Sequence, residues 1–287
     1  MAGFRRTAVG SKAKTKIRTM NFGNKTKEHL ENYKISNFPG LQDGLWKKNK
    51  QPYPHILPEN NKLDNLLPTY RAKLVKHIDG MKIKLHSDFH HLNSSQAMCF
   101  NFFFPLYYEQ TLELVSDLLG FKDEKVIYDT VRFEKDGLEA QFGRRPTSFD
   151  FYFETTLGKK LYFEIKYTES EFGKAEINSD KFNDVYSKFL KPIRSSFHNP
   201  QQFFNNYQIL RNLIHIDDNS FVIFVYPKDN EGVSKETDRV KTDFLLPSFH
   251  DNFFAVTWEK LFESVSNSIT NKQLRVQLSN FKDKYLF

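Results

Sequence analysis

The 287-residue sequence has a single cysteine, Cys99. That excludes an internal disulfide framework and any zinc site built from several thiolates, and it fits a reducing cytoplasm. Long apolar runs are also missing. FNFFFPLYY and FVIFVYP fall short of the roughly eighteen residues a membrane span needs. They predict a buried helix and a buried strand instead, and no membrane partner. No apolar segment follows the basic N-terminus, so a secretory signal is not expected. Acidic residues are absent before Glu28.

That last absence locates the charge. The first thirty residues hold eight Lys and Arg against one acid, and so carry the whole net charge of +7. Arg5, Arg6, Lys12, Lys14, Lys16 and Arg18 head this set. Apolar spacing over residues 1–50 is irregular, which predicts a loosely ordered basic arm drawn to a polyanion such as nucleic acid. A solubilising tail and an organelle transit peptide are the other readings of the same charge.

Aromatic residues are abundant, with 30 Phe and 13 Tyr. They predict a core with β character across a domain spanning 51–287, with a helical extension at its start. Pro52, Pro54 and Pro58 punctuate the opening. A helix is expected near Leu63–His77. A second starts at an N-cap Ser94 or Ser95, is kinked or restarted by Pro105, and runs on to Leu119, ending at Gly120. A strand follows at about 125–134. Helical segments are expected at 175–191 and 200–214, a buried strand at 220–227 and a charged linker at 228–243. A short strand at 253–257 and one helix from Trp258 to Leu278 complete the chain. This order predicts an α/β fold, a mixed sheet flanked by helices.

The stretch FDFYFETTLGKKLYFEIKYTE, residues 149–169, reads as a hairpin. Phe149, Phe151 and Phe153 are expected on one face, with Asp150, Tyr152 and Glu154 on the other. On the return strand Tyr162, Glu164, Lys166 and Thr168 oppose Leu161, Phe163, Ile165 and Tyr167. A three-residue loop with Gly158 left-handed pairs Thr155 with Lys159, which sets Asp150 opposite Glu164. Their Cβ atoms would then lie about 4.5–5.5 Å apart. Facing carboxylates repel, and a divalent cation between them turns that repulsion into binding. Oxygen ligands of this kind suit Mg²⁺, with Mn²⁺ as its substitute. Lys166, two residues on, reaches the same spot, where it can orient a water and stabilise developing charge. The alternative is a solvated hairpin face with a Glu–Lys pair.

Asp150 followed by Glu164-Ile165-Lys166, in an αβββαβ order, resembles the PD-(D/E)XK nuclease superfamily, the restriction-endonuclease-like fold, over about residues 92–258. HLNSSQAMCFNFFFPL and YQILRNL further resemble a family of restriction endonucleases within it. The resemblance implies Mg²⁺-dependent phosphodiester hydrolysis leaving a 5′-phosphate and a 3′-hydroxyl. It implies Asp150 and Glu164 as metal ligands, with the Ile165 carbonyl, and Lys166 as the catalytic lysine. No proline directly precedes Asp150; Pro146 lies four residues earlier. Many members place a helix glutamate near the metal, where this sequence offers Gln96, a candidate to orient a water or phosphate. Glu109 and Glu113 read as solvated surface.

Arg144 and Arg145 precede the Asp150 strand and suit a phosphate or a guanine edge, or simple solubilising charge. Gln208 and Arg211, beside Tyr207, are candidates to hold DNA near the metal. His86, Asp88 and His90 have strand-like spacing, yet lack a fourth ligand for a metal site. Cys99 reads as core. The sequence therefore predicts a Mg²⁺-dependent endonuclease of restriction type, acting on double-stranded DNA as a possible homodimer beside a separately encoded methyltransferase. A nuclease of repair, mobile elements or RNA, and an inactive DNA-binding protein of the same fold, are the alternatives.

Overall fold

A computed structural model describes residues 21–143 and 148–287. Helix α1 (Phe22–Asn37) stands where the sequence predicted loose chain up to residue 50. Asn21 caps it, its side chain accepting from the Asn24 N–H at 2.9 Å. The buried positions are Thr26, Leu30 and Lys34, one face at four-residue spacing. Only Leu30 is apolar, so this face carries no hydrophobic periodicity. Lys34 is tolerated there because its Nζ donates to the Gln42 carbonyl at 2.9 Å and to Asp43 at 2.6 Å.

A short hairpin with two residues in each strand follows, β1 (Gly44–Leu45) with β2 (Pro52–Tyr53). The helix expected at 63–77 is instead a 3₁₀ turn at Glu59–Asn65 and α2 (Arg71–Met81). Helix α3 (Ser95–Tyr108) begins as predicted, with the Ala97 N–H donating to Ser94 Oγ. Pro105 sits inside α3 rather than breaking it. A proline has no N–H for the carbonyl four residues back. Here that carbonyl, Asn101 O, accepts from Gln277 Nε2 at 2.8 Å, so no buried acceptor is orphaned. The break comes later, near Gln110 at φ +53°, before α4 (Glu113–Leu118). Gly120 ends that region at φ +93°, as its sequence position predicts.

The sheet contains β3 (Val126–Asp136), β4 (Ser148–Thr155) and β5 (Lys160–Ile165). Next come α5 (Ser179–Asp184), α6 (Pro200–Asn205), α7 (Tyr207–Leu213) and β6 (Ser220–Tyr226). The chain closes with α8 (Glu231–Arg239), β7 (Phe253–Thr257), α9 (Trp258–Ser268) and α10 (Lys272–Tyr285). The strand order is β3-β4-β5-β6-β7. The first three strands pair antiparallel and the last two join in parallel. This is the mixed five-stranded sheet flanked by helices that the element order predicts.

The later helices differ from the expected ones at two places. The charged linker expected at 228–243 is α8 and a following turn. Val233, Thr237, Val240 and Phe244 bury one side of it, a pattern that its charged residues mask. The single terminal helix is two, divided where Asn271 caps α10 by accepting from the Leu274 N–H.

The sheet separates two cores. Phe151, Phe153, Leu161, Phe163 and Ile165 join the side formed with α3, α9 and α10. Val222, Phe224 and Phe253 join the side formed with α6 and α7. Phe149 was expected beside Phe151 and Phe153, but it lies in the second core, against Tyr162 and His215. The alternation reverses at Asp150. Across the ladder there, Glu134 has φ +52°, a left-handed residue inside an edge strand. Pairing is regular on either side, Phe133 with Phe151 and Lys135 with Phe149.

The hairpin turn is the predicted one. The Thr155 N–H donates to the Lys159 carbonyl at 2.9 Å, and Gly158 sits at φ +77°. Space around Gly158 is open, so only backbone strain opposes a side chain there. Gly158→Ala is expected to cost about 1–2 kcal/mol, the penalty of a left-handed L-residue. Chemical denaturation of the two proteins measures it.

Candidate active site

The β4–β5 register places Phe151 opposite Phe163 and Tyr152 opposite Tyr162. One step further brings Asp150 level with Glu164, as the turn geometry predicts. Asp150 Oδ2 accepts from the Ile165 N–H at 2.6 Å, which fixes its side chain against β5. Glu164 and Lys166 are each 4% exposed. Lys166 Nζ lies 3.0 Å from Glu164 Oε1, and Gln208 Nε2 donates to the same oxygen at 3.1 Å. The Lys166 ammonium also lies 4.9 Å from the centre of the Phe172 ring.

Burial, then the charges of Glu164 and Glu134, pushes the Asp150 carboxyl well above the usual carboxylate range. Its bond from Ile165 and the charge of Lys166 pull the other way without prevailing. Burial alone would lower the Lys166 ammonium. Glu164, Glu169 and Asp150 outweigh it and hold the pKa above its ordinary value. Asp150 thus holds its proton more tightly than an ordinary carboxyl, beside a lysine that stays charged. Among the described residues no three His, Cys, Asp or Glu side chains converge as a ligand set. A cation here would rest on two carboxylates, a backbone oxygen and water, a pattern that suits Mg²⁺.

These groups open into a cavity of about 330 Å³, with His86, Glu134, Ser148 and Arg211 also on its walls. It shares His86, Glu134, Ser148 and Glu169 with a larger groove of about 1010 Å³ that Lys82 and Lys84 border. Asn93, Thr168 and Glu169 connect that groove to a third hollow, bordered by Lys25, Lys27 and Lys228.

The other candidates divide. Gln96 is 1% exposed, and its amide is fully engaged. Nε2 donates to Lys84 O and to Glu134 Oε1, and Oε1 accepts from the His86 N–H. It stands here as a buried strut behind Glu134. Gln208 also bonds inward, its Oε1 accepting from the Gly173 N–H at 2.8 Å while its Nε2 holds Glu164. Arg211 borders the cavity, its guanidinium bonded to Asn212 Oδ1 at 3.2 Å. Glu109 and Glu113 are not simply solvated surface. Glu109 accepts from Tyr70 and Asn271, and Glu113 from Tyr128, so both tie elements together away from the cavity. His90 Nε2 contacts the Leu45 carbonyl at 3.1 Å, while His86 lies in the cavity, so His86, Asp88 and His90 form no joint site. Cys99 is core, its thiol directed at the Asp150 carbonyl. Arg144, Arg145 and Arg5, Arg6, Lys12, Lys14, Lys16 and Arg18 lie outside the described residues.

Glu134 escaped the sequence reading. Gln96 Nε2 donates to its Oε1 at 2.7 Å and Ser148 Oγ to its Oε2 at 2.6 Å. With Asp150 and Glu164 it forms a row of acids at one level of three neighbouring strands. A single acid inside VRFEKDG gives no signal for this.

Residues 27–286 match the model of a family described as restriction endonuclease associating with ARP. The chain belongs to this family. It is therefore a restriction-type nuclease, and DNA is the substrate class that this family carries. Comparison with curated proteins and with solved structures found no match. No helix among the described residues of this endonuclease is long and apolar enough to cross a membrane.

Proposed function

We propose that this endonuclease hydrolyses DNA phosphodiester bonds with Mg²⁺ at a PD-(D/E)XK site. The observation that carries the reading is the β4–β5 register, which sets Asp150 level with Glu164 on adjacent strands, with buried Lys166 3.0 Å from Glu164. Asp150, Glu164 and the Ile165 carbonyl are assigned to the cation, Mg²⁺ or Mn²⁺ in its place. When bound, the cation supplies Lewis acidity to the phosphate and makes water a stronger nucleophile at neutral pH.

The chain's own residues do the remainder. Gln208 and Lys166 hold Glu164 in place by hydrogen bonds, as outer partners orient ligating carboxylates. Lys166 points its ammonium to where negative charge grows during attack. Arg211 and the lysines along the two grooves meet backbone phosphates through salt-sensitive contacts. The basic arm joins the described chain at Asn21, itself on the wall of the third hollow, and is assigned the same role. Arg144 and Arg145, just before β4, are assigned to DNA as well.

Unmethylated plasmid incubated with the full chain tests the reading. Discrete fragments are expected with Mg²⁺ and none with EDTA. Binding without cutting under saturating Mg²⁺ would favour an inactive DNA-binding protein of the same fold.

A further inference from the structure

We propose that His86 is a further catalytic residue of this endonuclease: an imidazolium, held by Glu134, that grips a non-bridging oxygen of the DNA phosphate entering the cavity. The inference rests on the nuclease reading of Asp150, Glu164 and Lys166.

Its first support is placement. His86 borders the same cavity as those three residues, and its side chain is 56% exposed, so a phosphate can reach it. Its second support is the way the segment is held. The His86 N–H donates to Gln96 Oε1 at 2.9 Å, and Gln96 Nε2 donates to the Lys84 carbonyl at 3.1 Å and to Glu134 at 2.7 Å. One buried amide thus fixes both the backbone that carries the imidazole and the carboxylate beside it. Ser148 Oγ secures the other Glu134 oxygen, which lies 3.7 Å from His86 Nε2.

The third support is strain. Glu134 adopts φ +52° within a strand. Such a conformation costs of order 1–3 kcal/mol and persists only where the surroundings impose it. Gln96 and Ser148 hold the carboxylate of this residue, which borders the cavity beside the histidine.

The electrostatics give the arrangement a purpose. Four carboxyls, Asp150, Glu164, Glu134 and Glu169, border the cavity against two cations, Lys166 and Arg211, so an arriving phosphate meets more acids than bases. A cation at its edge offsets that excess. Glu134 from β3, Asp88 from its own loop and Glu164 from β5 act on His86; Asp150, Lys166, Glu169 and Arg211 share its cavity, and Lys82 and Lys84 its groove. Together Glu134, Asp88 and Glu164 raise the imidazole's pKa against the effect of burial, with Glu134 contributing most. His86 is therefore charged at mildly acidic pH and loses that charge as pH rises through the raised value.

Cleavage of a duplex with Mg²⁺, followed from pH 5.5 to 9 for the wild type, His86→Ala, His86→Lys and Glu134→Gln, tests this. At pH 6, His86→Ala should lower kcat/KM roughly tenfold to a hundredfold, the worth of a hydrogen bond to a charged group. The deficit should vanish at pH 9. His86→Lys should restore the rate at pH 6 and remove the alkaline fall that the imidazole causes. Glu134→Gln should move that fall to lower pH. Duplex binding without metal, read by fluorescence anisotropy, supplies a second measure, with the same pH-dependent loss expected for His86→Ala. Wild-type cleavage with His86→Ala unchanged across the range would overturn the inference alone, as would a folded His86→Lys that fails to rescue. Absence of wild-type cleavage would instead strike the nuclease reading, and the anisotropy series would then decide the role of His86.

Discussion

Lys166→Ala is expected to lower the cleavage rate by roughly 10²–10³-fold, the loss seen when one preorganised donor to developing charge is removed. The effect should fall on kcat more than on KM, because the ammonium acts mainly where charge grows. A second consequence follows from burial. Lys166 and Glu164 are both 4% exposed and 3.0 Å apart. Removing one member strands the other, at a cost of about 3–5 kcal/mol in the metal-free protein. Lys166→Met keeps packing against Phe172 and isolates the charge. Both variants should melt below the wild type without metal, and Mg²⁺ should narrow the gap by giving Glu164 a new counter-charge. Cleavage unchanged in either variant would remove the role assigned to Lys166.

Asp150→Asn is expected to abolish cleavage while stabilising the metal-free protein. The sign comes from the raised carboxyl. A group whose folded pKa exceeds its unfolded value binds more protons when folded, so stability falls as pH rises between the two values. Asparagine does not titrate. Its advantage should therefore be absent below the ordinary carboxylate range, grow above it, and level off once the folded Asp150 has ionised. Mg²⁺ should reverse the order. A ligand at a hundred times its Kd stabilises by about 2.7 kcal/mol, and only the wild type gains it. Melting curves at pH 4 and pH 8, with and without Mg²⁺, give the four comparisons. An Asp150→Asn protein less stable than the wild type at pH 8 without metal would contradict the electrostatics.

The sequence carried the hairpin because two local rules agreed there. Alternation assigned the faces of β5, and the open glycine at position 158 set the loop length, so the level of Asp150 and Glu164 followed. The rule failed at Phe149, where β4 changes face opposite a left-handed Glu134. The Glu134 side chain is held there by Gln96 and Ser148, which are distant in sequence or on another strand, so no local pattern encodes the arrangement. Gln96 was legible as a residue at the right place in α3 but not as a strut, because its three partners belong to two other segments. Helix α1 was hidden for another reason. Its buried face is threonine, leucine and lysine, and its one buried charge is met by Gln42 and Asp43. Helix α8 was hidden by the charged residues on its exposed side, which outnumber the apolar ones it buries.

One divalent cation shared by Asp150 and Glu164 is central to the proposed cleavage. Crystals soaked in Mn²⁺ and measured at the manganese absorption edge address this most directly. An anomalous peak within coordination distance of both carboxylates, absent in Asp150→Asn, is the result expected. A well-ordered site with no peak between those side chains at saturating Mn²⁺ would contradict it.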